Sequence, residues 1–211
     1  MRAKKEYFSA IFDIPMHPSK SSTDSPLIGR RVLLRPPQES DCEALLALNR
    51  ASSRFHRGLV PAPVKPVDFD AYLERSQQYS FRCFLICRKT DGALLGAINL
   101  GHIIRGNLHS AFLGYYIGAP FARNGYMTEA MQLILRYAFK ILKLHRIEAN
   151  IQPGNAASVA LVSRAGFQRE GFSRRYLKVL GRWKDHERWA ILAEDWRAKG
   201  GAFAERGGRV G

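Results

Sequence analysis

The sequence predicts an α+β domain in which a mixed, mainly antiparallel sheet of six or seven strands carries helices on both faces. Three features lead to this prediction. Two pairs of strand-like segments are joined by turn-forming residues, Asp91-Gly92 and Arg105-Gly106-Asn107, as in β-hairpins. A longer stretch from Met127 to Leu142 repeats its apolar residues at helical spacing. Strand-like segments resume after this helix, so strands and helices alternate in the second half of the chain.

The first half of the chain predicts strands and two helices. Arg31–Arg35 is strand-like and is followed by two prolines, which end it. Ser40-Asp-Cys-Glu43 has the spacing of a helix capping box and predicts a helix through Asn49. Asp91-Gly92 predicts a type I′ turn between two strands. The remaining segments predicted in this half are a helix over 67–78 and strands over 81–87 and 93–100.

The second half begins with a strand over Ala111–Ile117, which is rich in aromatic and aliphatic residues. Gly114 in this strand leaves room for another group to approach the backbone. A later helix over 156–164 is expected to end at Gly166, because glycine is the usual residue after a helix. The other predicted elements are the central helix over 127–142 and strands over 146–152, 172–179 and 185–193.

The length and composition of the chain predict one domain with flexible ends. Its 211 residues are 46% hydrophobic, which is enough for one well-buried core. We expect a flexible arm over 1–28, a domain over 29–197 and a flexible tail over 198–211, since both ends are rich in Pro, Ser or Gly. Three cysteines without a C-x-x-C pair argue against a disulfide framework and a zinc site. No membrane-spanning run or signal peptide is visible, so a cytoplasmic location is expected.

The net charge of +15 is the second strong signal, because a basic surface attracts polyanions. Ribosomal RNA would be such a partner. An arginine-rich chain from a GC-rich genome would have the same composition without any such partner, and the charge alone does not separate the two interpretations. The oligomeric state is also left open by the sequence.

The segment between the strand at 111–117 and the central helix predicts a phosphate site. It carries Gly118 and Gly125 and opens directly into the helix, where free N–H groups and the positive end of the helix dipole favour an anion. The dinucleotide fingerprint G-x-G-x-x-G and the Gly-Lys-Ser/Thr ending of the P-loop are both absent. The remaining candidate is a loop that holds the diphosphate of coenzyme A.

The order of these motifs, with Asn155, Ser158 and then Gly166-Phe167, resembles the GNAT family of N-acetyltransferases. Within that family the chain is most similar to ribosomal-protein alanine N-acetyltransferases of the RimJ type. The segments that carry this likeness are Arg105-Gly-Asn-Leu-His109, Leu113-Gly-Tyr-Tyr-Ile-Gly118, His145-Arg-Ile147 and Gly181-Arg-Trp-Lys-Asp-His186. The resemblance implies the GNAT acyltransferase fold, in which two neighbouring strands splay apart and hold acetyl-CoA between them.

The resemblance also assigns residues to the cofactor. A backbone N–H near Ile117 would polarise the thioester carbonyl. Asn155 would either cap its helix or bind the pantetheine amides, and Ser158 would contact the thiol. The family loop usually begins Gln-Gly, whereas this chain has Ala122-Arg123 there. The loop residues expected at the diphosphate are Arg123, Asn124, Gly125, Tyr126 and Met127.

Three residues are candidates for catalysis, each with a structural alternative. Ser158 would protonate the departing thiolate, or would only satisfy its helix terminus. Glu148 would accept the amine proton through water, or would form a salt bridge with Arg146. Tyr176 would supply a phenolic donor, or would only pack in its strand. The scattered histidines, including His186, are expected to be structural, and no metal site is predicted.

The leading hypothesis is an acetyl-CoA-dependent Nα-acetyltransferase that modifies the N-terminal Ala or Ser of a ribosomal protein by direct transfer in a ternary complex. A second hypothesis keeps the cofactor and makes the acceptor a small amine, such as a polyamine or an aminoglycoside. The third is a ribosome- or RNA-associated assembly factor that keeps the fold and catalyses weakly, which the changed Ala122-Arg123 loop and the basic ends would suit.

Overall fold

The computed structural model describes residues 25–59 and 62–200 of the chain, which are organised around one eight-stranded sheet. The spatial order is β1-β2-β3-β4-β5-β6-β8-β7, and β5 with β6 is the parallel pair in an otherwise antiparallel sheet. The mixed, mainly antiparallel sheet is therefore confirmed. The strands are β1 (Leu27–Ile28), β2 (Val32–Arg35), β3 (Arg82–Arg88), β4 (Leu94–Ile104), β5 (Ser110–Ile117), β6 (Arg146–Ile151), β7 (Gln168–Val179) and β8 (Arg182–Leu192).

The extra strand is β1, which the sequence analysis had placed in the arm. Leu27 pairs with Leu34 and Ile28 with Leu33. Two residues are too few to show the alternating pattern by which strands are recognised. The rest of the proposed arm up to residue 24 and the proposed tail from residue 201 lie outside the described residues.

Helices cover both faces of the sheet, as predicted. On β3, Phe84 and Ile86 pack into the larger hydrophobic cluster, whereas Cys83, Leu85 and Cys87 pack into a smaller one on the opposite face, because side chains alternate along a strand. We call the side of the smaller cluster the front face and the side of the larger cluster the back face. The front-face helices are α1 (Cys42–Ala51) and α2 (Pro66–Ser76), and the back-face helices are α3 (Tyr126–Arg136), α4 (Ala156–Ala165) and α5 (Ala193–Ala198).

The parallel strands β5 and β6 separate part-way along their length. They pair through Ser110 with Arg146, Ala111 with Ile147 and Phe112 with Glu148. Beyond those pairs, β5 continues to Ile117 and β6 to Ile151 without further pairing between the two. The predicted splayed strand pair is thus present, and it opens a gap through the sheet.

Two local predictions are wrong. The turn at Asp91-Gly92 is not type I′, because that turn needs positive φ at both central residues and only Gly92 has it, at 72°. The Asp91 carboxylate instead accepts a hydrogen bond from the Ala93 N–H at 3.2 Å and pairs with Arg88. The Ser40–Glu43 capping box is also not formed. Residues 39–41 make a 3₁₀ turn instead, and the Asp41 carboxylate accepts from the Gln38 N–H at 2.7 Å.

The two helices that flank the gap begin and end at residues with special backbone geometry. Gly125, at φ 77°, immediately precedes α3, and Gly166, at φ 100°, ends α4 as expected. The predicted central helix continues beyond α3 as a π-helical turn over Tyr137–Ile141. In the described part of the chain, no helix is long and apolar enough to cross a bilayer. The cytoplasmic location stays a prediction.

Candidate active site

A cavity of about 160 Å³ lies in the gap between β5 and β6. Both strands contribute to its wall, together with the N-terminal end of α4, one residue of β8 and the segment after α1. The lining residues are Leu59, Leu113, Gly114, Tyr115, Ala149, Asn150, Ile151, Gln152, Asn155, Ser158 and His186. The Gln152 side chain closes one side by donating to the carbonyl O of Gly58 at 2.8 Å.

The lining residues come from opposite faces of the sheet. Tyr115 packs with the back-face cluster, whereas its neighbour Tyr116 packs with the front-face cluster, so Gly114 belongs to the front. On β6, Ile147, Ala149 and Ile151 belong to the back, which assigns Asn150 to the front. On β8, Trp189 and Ile191 belong to the back, which assigns His186 to the front. The cavity is therefore bordered from both sides of the sheet.

The backbone of β5 presents polar groups to the gap. The Gly118 N–H donates to the carbonyl O of Leu95 at 2.7 Å, so the backbone groups of even-numbered residues point to β4. Those of Leu113, Tyr115 and Ile117 consequently point away from β4, towards the gap. His56 Nε2 lies 2.8 Å from the carbonyl O of Ile117 on that edge. The N–H of Ile117, which was predicted to polarise a thioester carbonyl, therefore points towards the gap.

Asn155 and Ser158 are brought together at the start of α4. The Oδ1 atom of Asn155 accepts a hydrogen bond from the Ser158 N–H at 3.2 Å, which is the N-cap interaction expected from their spacing. Because this bond uses the backbone of Ser158, the serine hydroxyl is left for another partner. Both side chains line the cavity.

Tyr115 is a cavity residue that the sequence analysis did not single out. Its hydroxyl is buried beside the Ser158 hydroxyl, but within the described residues it makes no hydrogen bond of normal geometry. Burial raises the pKa of Tyr115 to about 12, while the neighbouring Ser158 hydroxyl acts in the opposite direction. The phenol is therefore protonated near neutral pH and can donate a hydrogen bond into the cavity.

Glu148 and Tyr176 are not among the described residues that line the cavity. The carboxylate of Glu148 accepts a hydrogen bond from Arg146 Nε at 2.9 Å, and Arg146 also pairs with Glu170. This is the salt bridge considered as the alternative for Glu148. The ring of Tyr176 packs edge-to-face against His186, with 6.3 Å between ring centroids, and the side chain is 37% exposed.

His186 and Asn150 are two further cavity residues that sequence reasoning missed. His186 is 3% exposed, and its Nδ1 lies 2.9 Å from the carbonyl O of Lys184. The Oδ1 atom of Asn150 is buried with no hydrogen-bond partner in the described part of the chain. The one sequence signal for His186 was its place at the end of Gly181-Arg-Trp-Lys-Asp-His186. Nothing in the sequence indicates that Asn150 is a site residue, because a polar residue in a strand of alternating polarity is expected to face solvent.

The loop before α3 has the backbone geometry of an anion site. Arg123 at φ 62° and Gly125 at φ 77° turn the chain into the helix, whose first N–H groups have no intrahelical acceptor. Arg31 lies against this loop: its Nη1 donates to the carbonyl O of Asn124 at 3.1 Å, and its guanidinium stacks 5.0 Å from the centroid of the Tyr126 ring. The loop thus combines amide donors with two arginines, a suitable setting for a diphosphate.

Glu129 fixes this loop to the sheet and does not act in the cavity. Its carboxylate accepts hydrogen bonds from the N–H groups of Arg31 at 2.7 Å and Val32 at 3.2 Å and pairs with the Arg31 guanidinium at 3.2 Å. Burial acts to raise the pKa of Glu129, but these hydrogen bonds and the Arg31 charge outweigh it and lower the pKa. The carboxylate is therefore ionised and anchors the first turn of α3.

These features fit coenzyme A in two places. The Tyr115 hydroxyl is an unsatisfied buried donor beside Ser158, where a sulfur or a pantetheine amide would provide the missing partner. The loop over Arg123–Met127 would hold the diphosphate. Within the described ranges there is no group of three or more His, Cys, Asp or Glu residues that could hold a metal ion.

Comparison with known proteins agrees with this geometry. Residues 31–168 match the family described as the acetyltransferase (GNAT) domain. The probable N-acetyltransferase YjcK of Bacillus subtilis is 36% identical over 180 residues, which cover 80% of this chain and 98% of that protein. The ribosomal protein uS5-alanine N-acetyltransferase of Escherichia coli is 38% identical over 103 residues, covering 49% of this chain and 53% of that protein.

A solved structure shows the same fold with a bound coenzyme. Mycobacterium smegmatis RimJ in complex with CoA-disulfide superposes with a TM-score of 0.71 at 28% identity, over 80% of this chain and 89% of that one.

Proposed function

The chain belongs to the GNAT family of acetyltransferases, and we propose that it acetylates the N-terminal α-amine of a ribosomal protein that begins with Ala or Ser, using acetyl-CoA. The E. coli relative is named for this type of acceptor, and its similarity covers about half of each chain. The observation that carries the proposal is the cavity in the strand gap, which is bordered by residues from both faces of the sheet.

The size and charge of the cavity favour a small N-terminal residue. Its volume of about 160 Å³ is below the roughly 300–1,000 Å³ typical of sites that enclose a drug-sized ligand, so the end of the cofactor would leave room for a small side chain and not for a large one. None of the described residues that line it is Asp or Glu. A polyamine or an aminoglycoside brings several positive charges and would need such carboxylates, whereas a peptide N-terminus brings one.

The proposed roles of the residues follow from their positions. The amides of Arg123–Met127 and the Arg31 guanidinium would bind the diphosphate, and Asn155 would also contact the pantetheine arm. The Ile117 N–H would polarise the thioester carbonyl, and bound acetyl-CoA would supply the activated acetyl group. Ser158 and Tyr115, both next to the back of the cavity, would donate to the departing sulfur.

Direct transfer is supported by the positions of the cysteines. All three lie in the described part of the chain, and none lines the cavity. Burial raises the pKa of Cys83 to about 11 and also raises the pKa of Cys87. Neither thiol is therefore suited to carry an acetyl group, and a ternary complex is the simpler route.

We test the proposal with a panel of acceptors and a measurement of free coenzyme A release. The panel contains Ala- and Ser-initiated peptides, the same peptides with a blocked N-terminus, spermidine and an aminoglycoside. Turnover with the free peptides alone is the expected result. Faster turnover with spermidine would overturn the choice of acceptor. Thermal stabilisation by coenzyme A without turnover of any acceptor would favour an assembly factor with weak catalysis.

A contact with ribosomal RNA is also proposed, through the hairpin formed by β7 and β8. Its exposed cations include Arg174, Arg175, Lys178 and Arg182. Trp183, which lies directly opposite Lys178 in the ladder, is 61% exposed. Cations beside an exposed aromatic ring are a combination that binds single-stranded nucleic acid by charge and base stacking.

A further inference from the structure

We infer that His186 accepts the proton of the incoming amine. This inference rests on the proposed function and assigns a base within the same site. Catalysis needs such a group because an N-terminal α-amine has a pKa of about 8 and is mostly protonated at pH 7. His186 was expected to be structural, but it lines the cavity although it is only 3% exposed.

The position of His186 separates the base from the groups at the leaving sulfur. Tyr115 borders the cavity from the back face, next to Ser158. His186, Asn150 and Gly114 border it from the front face, as the alternation on their strands shows. Because the groups proposed to contact the sulfur border the cavity from the back, the amine that adds to the acetyl carbonyl would arrive from the front. A base for the amine is therefore required on the front face.

The hydrogen bonding of His186 leaves the correct nitrogen for this task. Nδ1 lies 2.9 Å from the carbonyl O of Lys184, and because a carbonyl only accepts, Nδ1 carries the hydrogen. In the neutral ring Nε2 then has the lone pair. The Tyr176 ring packs edge-to-face on the imidazole and holds its orientation.

Asn150 completes the recognition of the amine. Its buried Oδ1 atom has no partner among the described residues, and it shares the front face with His186. An amide oxygen can accept a hydrogen bond from an ammonium or amine N–H. It would hold the terminal nitrogen while the imidazole removes a proton.

Glu148 is the competing candidate on the same face, and its surroundings argue against it. Its carboxylate accepts a hydrogen bond from Arg146 Nε at 2.9 Å and is already engaged in that ion pair. It also lies outside the cavity lining. The other charged or titratable side chains near His186 are Lys184 and Arg188, which share its face of β8, and Tyr176 of β7, whose ring packs against the imidazole.

The protons and electron pairs of the step balance as follows. Nε2 takes one proton from the α-ammonium, and the nitrogen lone pair released forms the C–N bond with the acetyl carbon. The C–S bond then breaks and its electron pair leaves on sulfur. The nitrogen loses its second proton to solvent as the amide forms, and the sulfur gains one from the Ser158 or Tyr115 hydroxyl, which then takes a replacement proton from solvent. The imidazolium finally returns its proton to solvent.

The test compares His186→Asn with the wild type, using an Ala-initiated peptide at saturating acetyl-CoA. The Asn amide can still donate to the Lys184 carbonyl, so the variant keeps the structural hydrogen bond and lacks only the base. We expect kcat/KM to fall by roughly 100-fold at pH 7, the size of a lost general base. The deficit should shrink by about tenfold at pH 9.5, where the α-amine is already neutral.

His145→Gln is the matched control, because this histidine is exposed and pairs with Glu194 outside the cavity. It should behave as the wild type. A deficit in His186→Asn that is the same at both pH values, or no deficit at all, would overturn the inference. Peptide turnover by the wild type tests the proposed function separately, since an inactive wild type would refute that function before any variant is compared.

Discussion

Tyr115 and Asn150 have in common a buried polar atom that lacks a partner in the described part of the chain. Leaving such an atom unsatisfied costs on the order of 1–3 kcal/mol, which a ligand that supplies the missing partner would recover. Both residues lie in the wall of the same cavity, one on each face of the sheet. A cofactor bound from the back would give the Tyr115 hydroxyl a partner, and an amine bound from the front would give one to the Asn150 Oδ1 atom.

The roles of Asn155 and Ser158 can be separated by substitution. Asn155→Ala removes the acceptor of the N-cap hydrogen bond and should lower the free energy of unfolding by about 1 kcal/mol. Ser158→Ala keeps the N–H that this bond uses, so its unfolding energy should stay near that of the wild type. Its kcat should nevertheless fall tenfold or more if the hydroxyl donates to the sulfur.

Urea denaturation and steady-state kinetics on the same protein samples measure both quantities. A Ser158→Ala variant with unchanged kcat would leave the serine without a catalytic role.

Among single residues, the sequence predicted those that belong to a short motif. The spacing of Asn155 and Ser158 is local, so both the cap and the cavity position could be anticipated. Tyr115, Asn150 and His186 meet only because β5, β6 and β8 lie side by side, and no local pattern indicates that. From the sequence alone, His186 could not be distinguished from a histidine that only packs in the core.

At the scale of elements, the contact between β2 and α3 holds the loop that is proposed to bind the diphosphate. Glu129 lies in the first turn of α3, and it ties that turn to the backbone of Arg31 and Val32. The same Arg31 reaches over Gly125 to the carbonyl of Asn124, and a Cβ atom at Gly125 would lie 3.0 Å from Arg31 Nη2. Loop shape and strand position are therefore coupled.

The pH dependence of stability tests this coupling. The pKa of Glu129 is lower in the folded state than in the unfolded chain, so its contribution is complete above the unfolded pKa and is lost as the pH falls through the folded pKa. Glu129→Gln should be less stable than the wild type at pH 6, and the difference should shrink at pH 3. Urea unfolding at the two pH values measures it.

The wild type and Glu129→Gln share all other carboxylates, so the effects of those groups on the free energy of unfolding cancel when the two proteins are compared. A stability difference that does not change between pH 6 and pH 3 would show that the charge of Glu129 does not stabilise the fold.

Most helices and strands were predictable because each has its own periodicity and bounding residues. The central helix and both hairpin positions fall where the pattern placed them. The strand β1 and the type of turn at Asp91-Gly92 were missed, since the first is too short for a pattern and the second depends on how the Asp91 carboxylate bonds. The strand gap came from the family resemblance, because local sequence does not show where a ladder stops.

At the scale of the whole molecule, the net charge of +15 concerns partners and not the fold. The cavity between β5 and β6 has no acidic residue among its described lining residues, and the exposed β7–β8 hairpin carries cations beside Trp183. A cationic exterior and a neutral cavity suit an enzyme that meets its protein substrate on an RNA-rich surface.

The RNA contact predicts a specific effect of charge reversal. Arg174→Glu combined with Lys178→Glu on the hairpin should weaken binding to a ribosomal RNA fragment tenfold or more and reduce the salt dependence of binding. Arg136→Glu combined with Arg164→Glu makes the same change in net charge on α3 and α4 and is the control. Fluorescence anisotropy over a salt series measures both. Equal losses in the two variants would mean that only net charge matters, not the hairpin.

The central claim is that the gap between β5 and β6 is where a donor from the back meets an amine from the front, and Gly114 offers the most direct test. It lines the cavity on the front face, and a Cβ atom there would meet no other atom within 4 Å, so the fold can accept a larger residue. The decisive measurement is kcat/KM for an Ala-initiated peptide in Gly114→Leu, together with its Kd for coenzyme A. We predict that peptide turnover falls at least 100-fold while the Kd changes less than about threefold. Undiminished peptide turnover in this variant would contradict the account.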